Sequence, residues 1–113
     1  MHYMSVKQRY FNLLKDGKKT IELRLFDEKR QKIKMGDYIL FSNADNLQDS
    51  FQGKVINLHW DKNFDALCKK INPKQAGFQT KKELLCALNE FYSDEEQEKF
   101  GVVGIEVNTK IND

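Results

Sequence analysis

Between Thr20 and Leu25 apolar and polar side chains alternate, and two of the polar ones, Glu22 and Arg24, carry opposite charges. A strand of that period turns Ile21, Leu23 and Leu25 one way and Thr20, Glu22 and Arg24 the other, leaving the two charges about 7 Å apart on one face. Lys18 and Lys19 come immediately before, where a helix is expected to hand over to the strand. Cations in such a cluster bind an anion, while the carboxylate holds one of them or accepts the amino protons of a base. The plainer alternative is a solvent-facing Glu–Arg pair worth ~0–1 kcal/mol.

Charge is distributed unevenly around this cluster. Lys7 to Lys34 carry ten basic and four acidic side chains, while the other residues carry nine and thirteen, so a net charge of +2 conceals a local +6 and a remainder of −4. A basic block on an otherwise acidic chain favours an anionic partner at one place, although a solvated lysine-rich surface has the same composition. Other chemistries find little support. Cys68 and Cys86 fall in expected helices without a second cysteine or histidine at metal-ligand spacing, and read as reduced thiols packed as small apolar groups. His2 and His59 are far apart. No metal site or cofactor is expected.

The elements that must position the cluster follow from periodicity. His2 to Met4 reads as a short strand, and Ser5 to Gln8 as a capping box opening a helix with Val6, Tyr10, Phe11 and Leu14 on one face. Gly17 suits the exit from that helix. A charged loop from Phe26 to Met35 leads to a Gly36–Asp37 turn and a strand at Tyr38–Phe41. A polar loop through Asp45, Asn46 and Asp49 precedes a longer strand, Phe51 to Trp60. Asn63 caps a helix carrying Phe64, Leu67, Cys68 and Ile71. Thr80 and Ser93 open two more, with Leu84, Leu85, Leu88 and Tyr92 inward on the first, and Val102 to Val107 closes the order as a buried strand. Gly104 there permits a close backbone approach. Strands grouped without alternating helices argue against a parallel βαβ sheet and for a small curled mixed sheet with helices at one side. The whole chain, 1–113, is expected to be one domain of α+β class. No apolar run is long enough to span a bilayer and no hydrophobic leader precedes the first strand, so the cytosol is the expected location.

The segment Gly17-Lys-Lys-Thr-Ile-Glu-Leu-Arg24 resembles the G-x-K-x-x-E-x-R signature of the ASCH family, with Gly17, Lys19, Glu22 and Arg24 in its four fixed positions. The likeness runs on through Leu25 to Arg30 and Lys34 to Ile39, and Phe100 to Ile105 is similar to the last strand of the family. What the resemblance implies is a PUA-like mixed β-barrel of about five to six strands with three to four flanking helices. It also implies a cleft beside the helix before the motif, lined by the matched Lys, Glu and Arg, that binds RNA or nucleotides.

On that reading Lys19 and Arg24 meet phosphate, with Lys18 and Thr20 beside them, and Glu22 orients Arg24 or accepts a hydrogen bond from a base. Lys29, Arg30, Lys32 and Lys34 track a backbone, and Phe26, Tyr38 or Trp60 supply a stacking surface unless they belong to the core. The expected partner is a single-stranded or modified RNA, or a nucleotide, bound by a monomer away from membranes. A second reading is a small hydrolase on RNA or a modified nucleoside, with Lys19 and Glu22 as candidate catalytic groups. Some ASCH proteins are amidohydrolases that remove an acyl group from a modified cytidine, using a Lys, a Thr and a downstream carboxylate. Lys19 matches that Lys, Glu22 stands where the Thr would be, and the stretch from Gln75 to Phe78 holds no carboxylate. Arg24 beside Glu22 would also depress its pKa and weaken it as a base. A third reading, a protein-binding adaptor, rests on the acidic run Asp94 to Glu98, which equally suits a helix N-terminus. How the helices between Asn63 and Phe100 pack against the cleft is left open by the sequence.

Overall fold

One strand organises the sheet because it is long enough to serve two partners. In the computed structural model, which describes residues 1–110, strand β4 (Asn46–Asp61) pairs through its first half with β3 (Tyr38–Asn43) and through its second half with β5 (Val102–Asn108). A register shift between Val55 and Asn57 marks the change of partner, and such a bulge bends a strand and increases its twist. With β1 (His2–Val6) beside β3 and β2 (Ile21–Leu25) beside β5, the order is β1-β3-β4-β5-β2. Among the described residues only the β1–β3 pair is parallel. The sheet curls into a half-barrel whose two edge strands, β1 and β2, are not paired with each other.

The helices are α1 (Gln8–Lys15), α2 (Glu28–Gln31), α3 (Phe64–Leu67), α4 (Lys81–Phe91) and α5 (Asp94–Phe100), with a 3-10 turn at Pro73–Ala76. Helices α2 and α3 are single turns of four residues, so three helices among the described residues are longer than that. Asn63, Thr80 and Ser93 cap α3, α4 and α5 as their side chains suggest.

Two apolar clusters result. Met4, Ile39, Phe41, Val55, Val103 and Ile105 fill the concave side, which α1 plugs with Phe11 and Leu14 and the stretch after α2 with Ile33. Ile21, Leu23, Leu25 and Val102 face the other way and pack against Phe64, Leu67, Phe78, Leu84 and Leu88 of the helical layer. Gly104 sits opposite Leu23 on this second side, where a Cβ would come within 3.1 Å of Ile21 Cγ2, so its lack of a side chain lets β5 and β2 pack closely.

Several expectations need correction. Ser5 does not cap α1: it lies inside β1, and the helix starts after Lys7, which makes no side-chain cap. Pairing with β3 holds that backbone extended, with Ser5 opposite Ser42 and Val6 opposite Asn43. The polar residues around Asp45 and Asn46 form a tight turn and then strand, not a loop, because the β3 ladder continues back to Asn46. Ile71 is buried but lies beyond α3. Of the two cysteines, Cys68 is buried, which pushes its thiol pKa up, whereas Cys86 is exposed. Among the described residues no group of ligating side chains could hold a metal, and no helix is long and apolar enough to cross a membrane.

Candidate functional site

The open seam between β1 and β2 is where the charged motif sits. Directly opposed residues of an antiparallel pair point to the same side of the sheet. Glu22 stands opposite Ile105 and Arg24 opposite Val103, and both valine and isoleucine belong to the concave cluster. The apolar face of β2 is therefore the one under the helices, and the charged face looks into the half-barrel. A solvent-facing Glu–Arg pair is excluded by this arrangement: the Glu22 side chain is 5% exposed and that of Arg24 18%.

Glu22 is the centre of a three-residue network. Its Oε1 lies 2.9 Å from Lys19 Nζ and its Oε2 lies 2.7 Å from an Arg24 Nη. Burial by itself would raise the Glu22 pKa, but Arg24 and Lys19 outweigh it and hold the carboxyl below its ordinary value. A carboxylate so held is a poor proton acceptor, which removes the most direct support for Glu22 as a general base.

Lys19 is as buried as Glu22, and local geometry explains how. The Lys18 and Lys19 amides both return to the Leu13 carbonyl, at 2.9 and 3.0 Å, which ties the chain down as it leaves α1. Gly17 takes the left-handed conformation there (φ 79°). From below, the 3-10 turn docks through Thr20 N–H donating to Gln75 O at 2.8 Å, and Lys19 Nζ donates to Ala76 O at 3.0 Å. The ring of Tyr10 lies 4.7 Å from the ammonium. Two hydrogen-bond acceptors and a ring face thus surround Lys19.

Arg24 spans the seam. The Nη group that meets Glu22 also donates to Ser5 O on β1, at 3.2 Å, linking the two unpaired edge strands through a side chain. Its Nε is buried and meets no acceptor among the described residues.

Beside this network opens a cavity of about 200 Å³, lined by Lys19, Glu22, Leu23 and Arg24 from the motif strand and its approach, and by Ser5, Val6 and Lys7 from β1 and the residue after it. Tyr10, Phe78, Ala87, Leu88, Phe91 and Tyr92 complete the wall. Lys7 Nζ lies 4.5 Å from the centre of the Phe91 ring at the mouth. A second depression, of about 440 Å³ and lined by Arg9, Glu83, Cys86 and Glu90, adjoins it and shares Lys7, Tyr10, Ala87 and Phe91.

Of the residues singled out in the sequence, Lys19, Glu22 and Arg24 meet at this cavity, and the others do not line it. Lys18, Lys29, Lys32 and Lys34 are exposed elsewhere, Thr20 is half-buried, and Arg30 is paired with Asp27 at 3.0 Å, the residue that also caps α2. The stacking candidates are displaced as well: Phe26 and Trp60 contact each other edge-on at 6.1 Å and Tyr38 lies on β3, all three outside the cavity wall. The aromatic wall comes instead from α1, the stretch after the 3-10 turn, and the end of α4. Only tertiary packing brings those segments together, and no motif in the sequence marked Phe78 or Phe91, which is exposed at the end of α4.

Comparison with known proteins identifies the family and the fold. The sequence pattern described as the ASCH domain matches residues 4–111, and the chain belongs to the ASCH domain family. Its PUA-like half-barrel is shared by solved structures. The hypothetical protein PH0355 is 33% identical, with a TM-score of 0.83 over 96% of this chain and 98% of that one. Protein PF0455 from Pyrococcus furiosus is 29% identical, with a TM-score of 0.75 over 98% of each chain. An ASCH protein from Zymomonas mobilis shares the fold at 11% identity, with a TM-score of 0.61 over 94% of this chain and 66% of that one. No curated protein matches the chain by sequence.

Proposed function

We propose that the cavity binds one nucleotide, free or as an unstacked residue of RNA, with its base enclosed beside the Lys19–Glu22–Arg24 network. The observation that carries this reading is the Lys19–Glu22–Arg24 network in the wall of a cavity otherwise faced mostly with aromatic and aliphatic side chains. Pockets that combine a mostly apolar lining with a few fixed polar groups are the usual form of a small-molecule site. At about 200 Å³ the cavity is smaller than the ~300–1,000 Å³ that drug-sized ligands occupy, which suits a single ring system with sugar and phosphate outside. Lys7 and Arg9 stand at the mouth and beyond it, where a phosphate would lie. Tyr10, Phe78, Phe91 and Tyr92 offer faces on which a base can stack. Lys19 then serves to fix Glu22, and Glu22 to fix Arg24, so the motif lysine works on the ligand at one remove.

The test is an amide-shift titration of the full chain with short single-stranded RNAs, duplex RNA, nucleoside monophosphates and an N4-acylated cytidine at two salt concentrations, with each sample then checked for product. Shifts concentrated on Ser5–Tyr10, Lys19–Arg24 and Leu88–Tyr92, with the ligand intact, are expected. Consumption of a ligand would replace the binding module with a hydrolase. Absence of shifts at these residues with every ligand would overturn the reading.

A further inference from the structure

Resting on the nucleotide-binding reading, we infer that the open edge of β2 reads the base, through the main-chain N–H and C=O of Leu23. Two observations converge on that residue. The first is where the cavity lies. Glu22 and Arg24 face the half-barrel and Leu23 faces the helical layer, yet all three line the cavity. Successive strand residues point to opposite faces, so one cavity meets three in a row by lying along the strand's edge. Ser5 and Val6 of β1 meet it in the same way from the other rim, and the cavity therefore occupies the seam.

The second is the direction of the main-chain groups. Residues of an antiparallel ladder alternate between pairs that exchange hydrogen bonds and pairs whose groups point away from the partner strand. Bonds at the two ends of β2 set the phase: Val107 N–H donates to Thr20 O at 2.8 Å, and Phe26 N–H to Gly101 O at 2.9 Å. Glu22 and Arg24 share that phase and bond to β5, whereas Leu23, opposite Gly104, turns its N–H and C=O to the seam. No strand pairs with β2 on that side among the described residues. The main-chain bonds made by Lys19 and Arg24 go to Ala76 O and Ser5 O instead. Leu23 is buried, and a buried main-chain donor and acceptor without partners are uncommon. A base in the seam supplies both partners. Glu22 does not compete for it: cations hold both its oxygens and its side chain is 5% exposed, so the acceptor for a base comes from the main chain.

The N–H and C=O of one residue form the closely spaced pair of an antiparallel edge. Each ribonucleotide base carries an adjacent donor and acceptor on its Watson–Crick edge, N3–H and O4 in uracil. Pairing with Leu23 thus recognises an intact base edge without choosing among the four bases, and rejects a base alkylated on that edge.

The experiment titrates uridine 5′-monophosphate by calorimetry into two semisynthetic full-length chains, in which the amide N–H of Leu23 or of Leu25 is replaced by an ester oxygen. Both N–H groups face the open edge, so both esters perturb the ladder alike, but Leu25 does not line the cavity. The Leu23 ester should bind about tenfold more weakly than the unmodified chain, as for one buried hydrogen bond left unmade, and the Leu25 ester like the unmodified chain. On the unmodified chain, 3-methyluridine 5′-monophosphate has lost the N3–H, whereas 5-methyluridine 5′-monophosphate carries the same methyl group away from that edge. The first should bind more weakly than the second by about tenfold or more. Equal affinity of the two ester chains, or of the two methylated nucleotides, would overturn the inference while leaving nucleotide binding intact. So would binding of adenosine, guanosine or cytidine 5′-monophosphate without binding of the uridine nucleotide. Failure of all four unmethylated nucleotides to bind would overturn the proposed function as well, so the two failures are told apart.

Discussion

Placing a carboxylate and an ammonium out of water, each with a side chain 5% exposed, is costly unless the charges answer one another. Lys19, Glu22 and Arg24 do so in a chain of two short ion pairs, and removing the central member strands two cations. Glu22→Ala should therefore lower unfolding free energy by about 3–5 kcal/mol in urea titrations at neutral pH, against the fraction of a kcal/mol expected of a surface pair. A loss below about 1 kcal/mol would mean that solvent reaches the network. The pH dependence follows from the same residue. Because the folded Glu22 pKa lies below its ordinary 4.5, the folded state binds that proton less readily than the unfolded one. Its stabilisation is complete above the unfolded value and drains away as pH falls through the lower folded value. Asp37, bonded to His2, and Asp61, bonded to the Lys62 amide, are also held low, so the wild type alone does not isolate Glu22. The stability gap between wild type and Glu22→Gln does, and it should narrow as pH is lowered from about 6 towards 3.

At the scale of elements, the wall of the cavity is assembled by a turn and a helix end. Gly77, just after the 3-10 turn, has φ 91°, and a Cβ there would stand 3.1 Å from Lys19 Cδ. Gly77→Ala should cost about 1–2 kcal/mol for the left-handed backbone, read from thermal unfolding. It should also move the amide resonances of Lys19 and Tyr10. Phe91, the last residue of α4, is 56% exposed and contributes little to the core. Phe91→Ala is expected to leave stability nearly unchanged and weaken nucleotide binding roughly tenfold, the size of one lost stacking face. Trp60→Ala, outside the cavity wall, should leave binding as it was. The reverse pattern would return the base to the Phe26–Trp60 surface. The helix caps at Asn63, Thr80 and Ser93 were legible because each is decided by a few neighbouring residues. The start of α1 was not, since the capping box at Ser5 lost to a strand partner some forty residues away.

For the molecule as a whole, the local excess of positive charge is real but is not gathered at the cavity. Lys29, Lys32 and Lys34 stand exposed outside its wall. The combined Lys29→Ala, Lys32→Ala and Lys34→Ala variant should bind mononucleotides like wild type. With a single-stranded RNA long enough to cross that surface, it should lower the slope of log affinity against log salt by roughly 2, the value for three phosphate contacts. An unchanged slope would confine recognition to the cavity.

What the sequence determined by itself is what depends on neighbours along the chain. The alternation at Thr20–Leu25, the turn glycines, three of the helix caps and the in-register Gly17, Lys19, Glu22 and Arg24 were all legible, and with them the α+β class and the family. The tertiary structure decided which face of β2 meets the core. Alternation says only that two faces differ, and here both are covered: the apolar one by helices, the charged one by the half-barrel. It also decided the partners of Glu22 and the aromatic wall opposite it. Ser5, Tyr10, Ala76, Phe78 and Phe91 are separated by up to 86 positions in the chain and meet only because the curled sheet leaves its edges β1 and β2 apart, with α1, the 3-10 turn and α4 closing the gap.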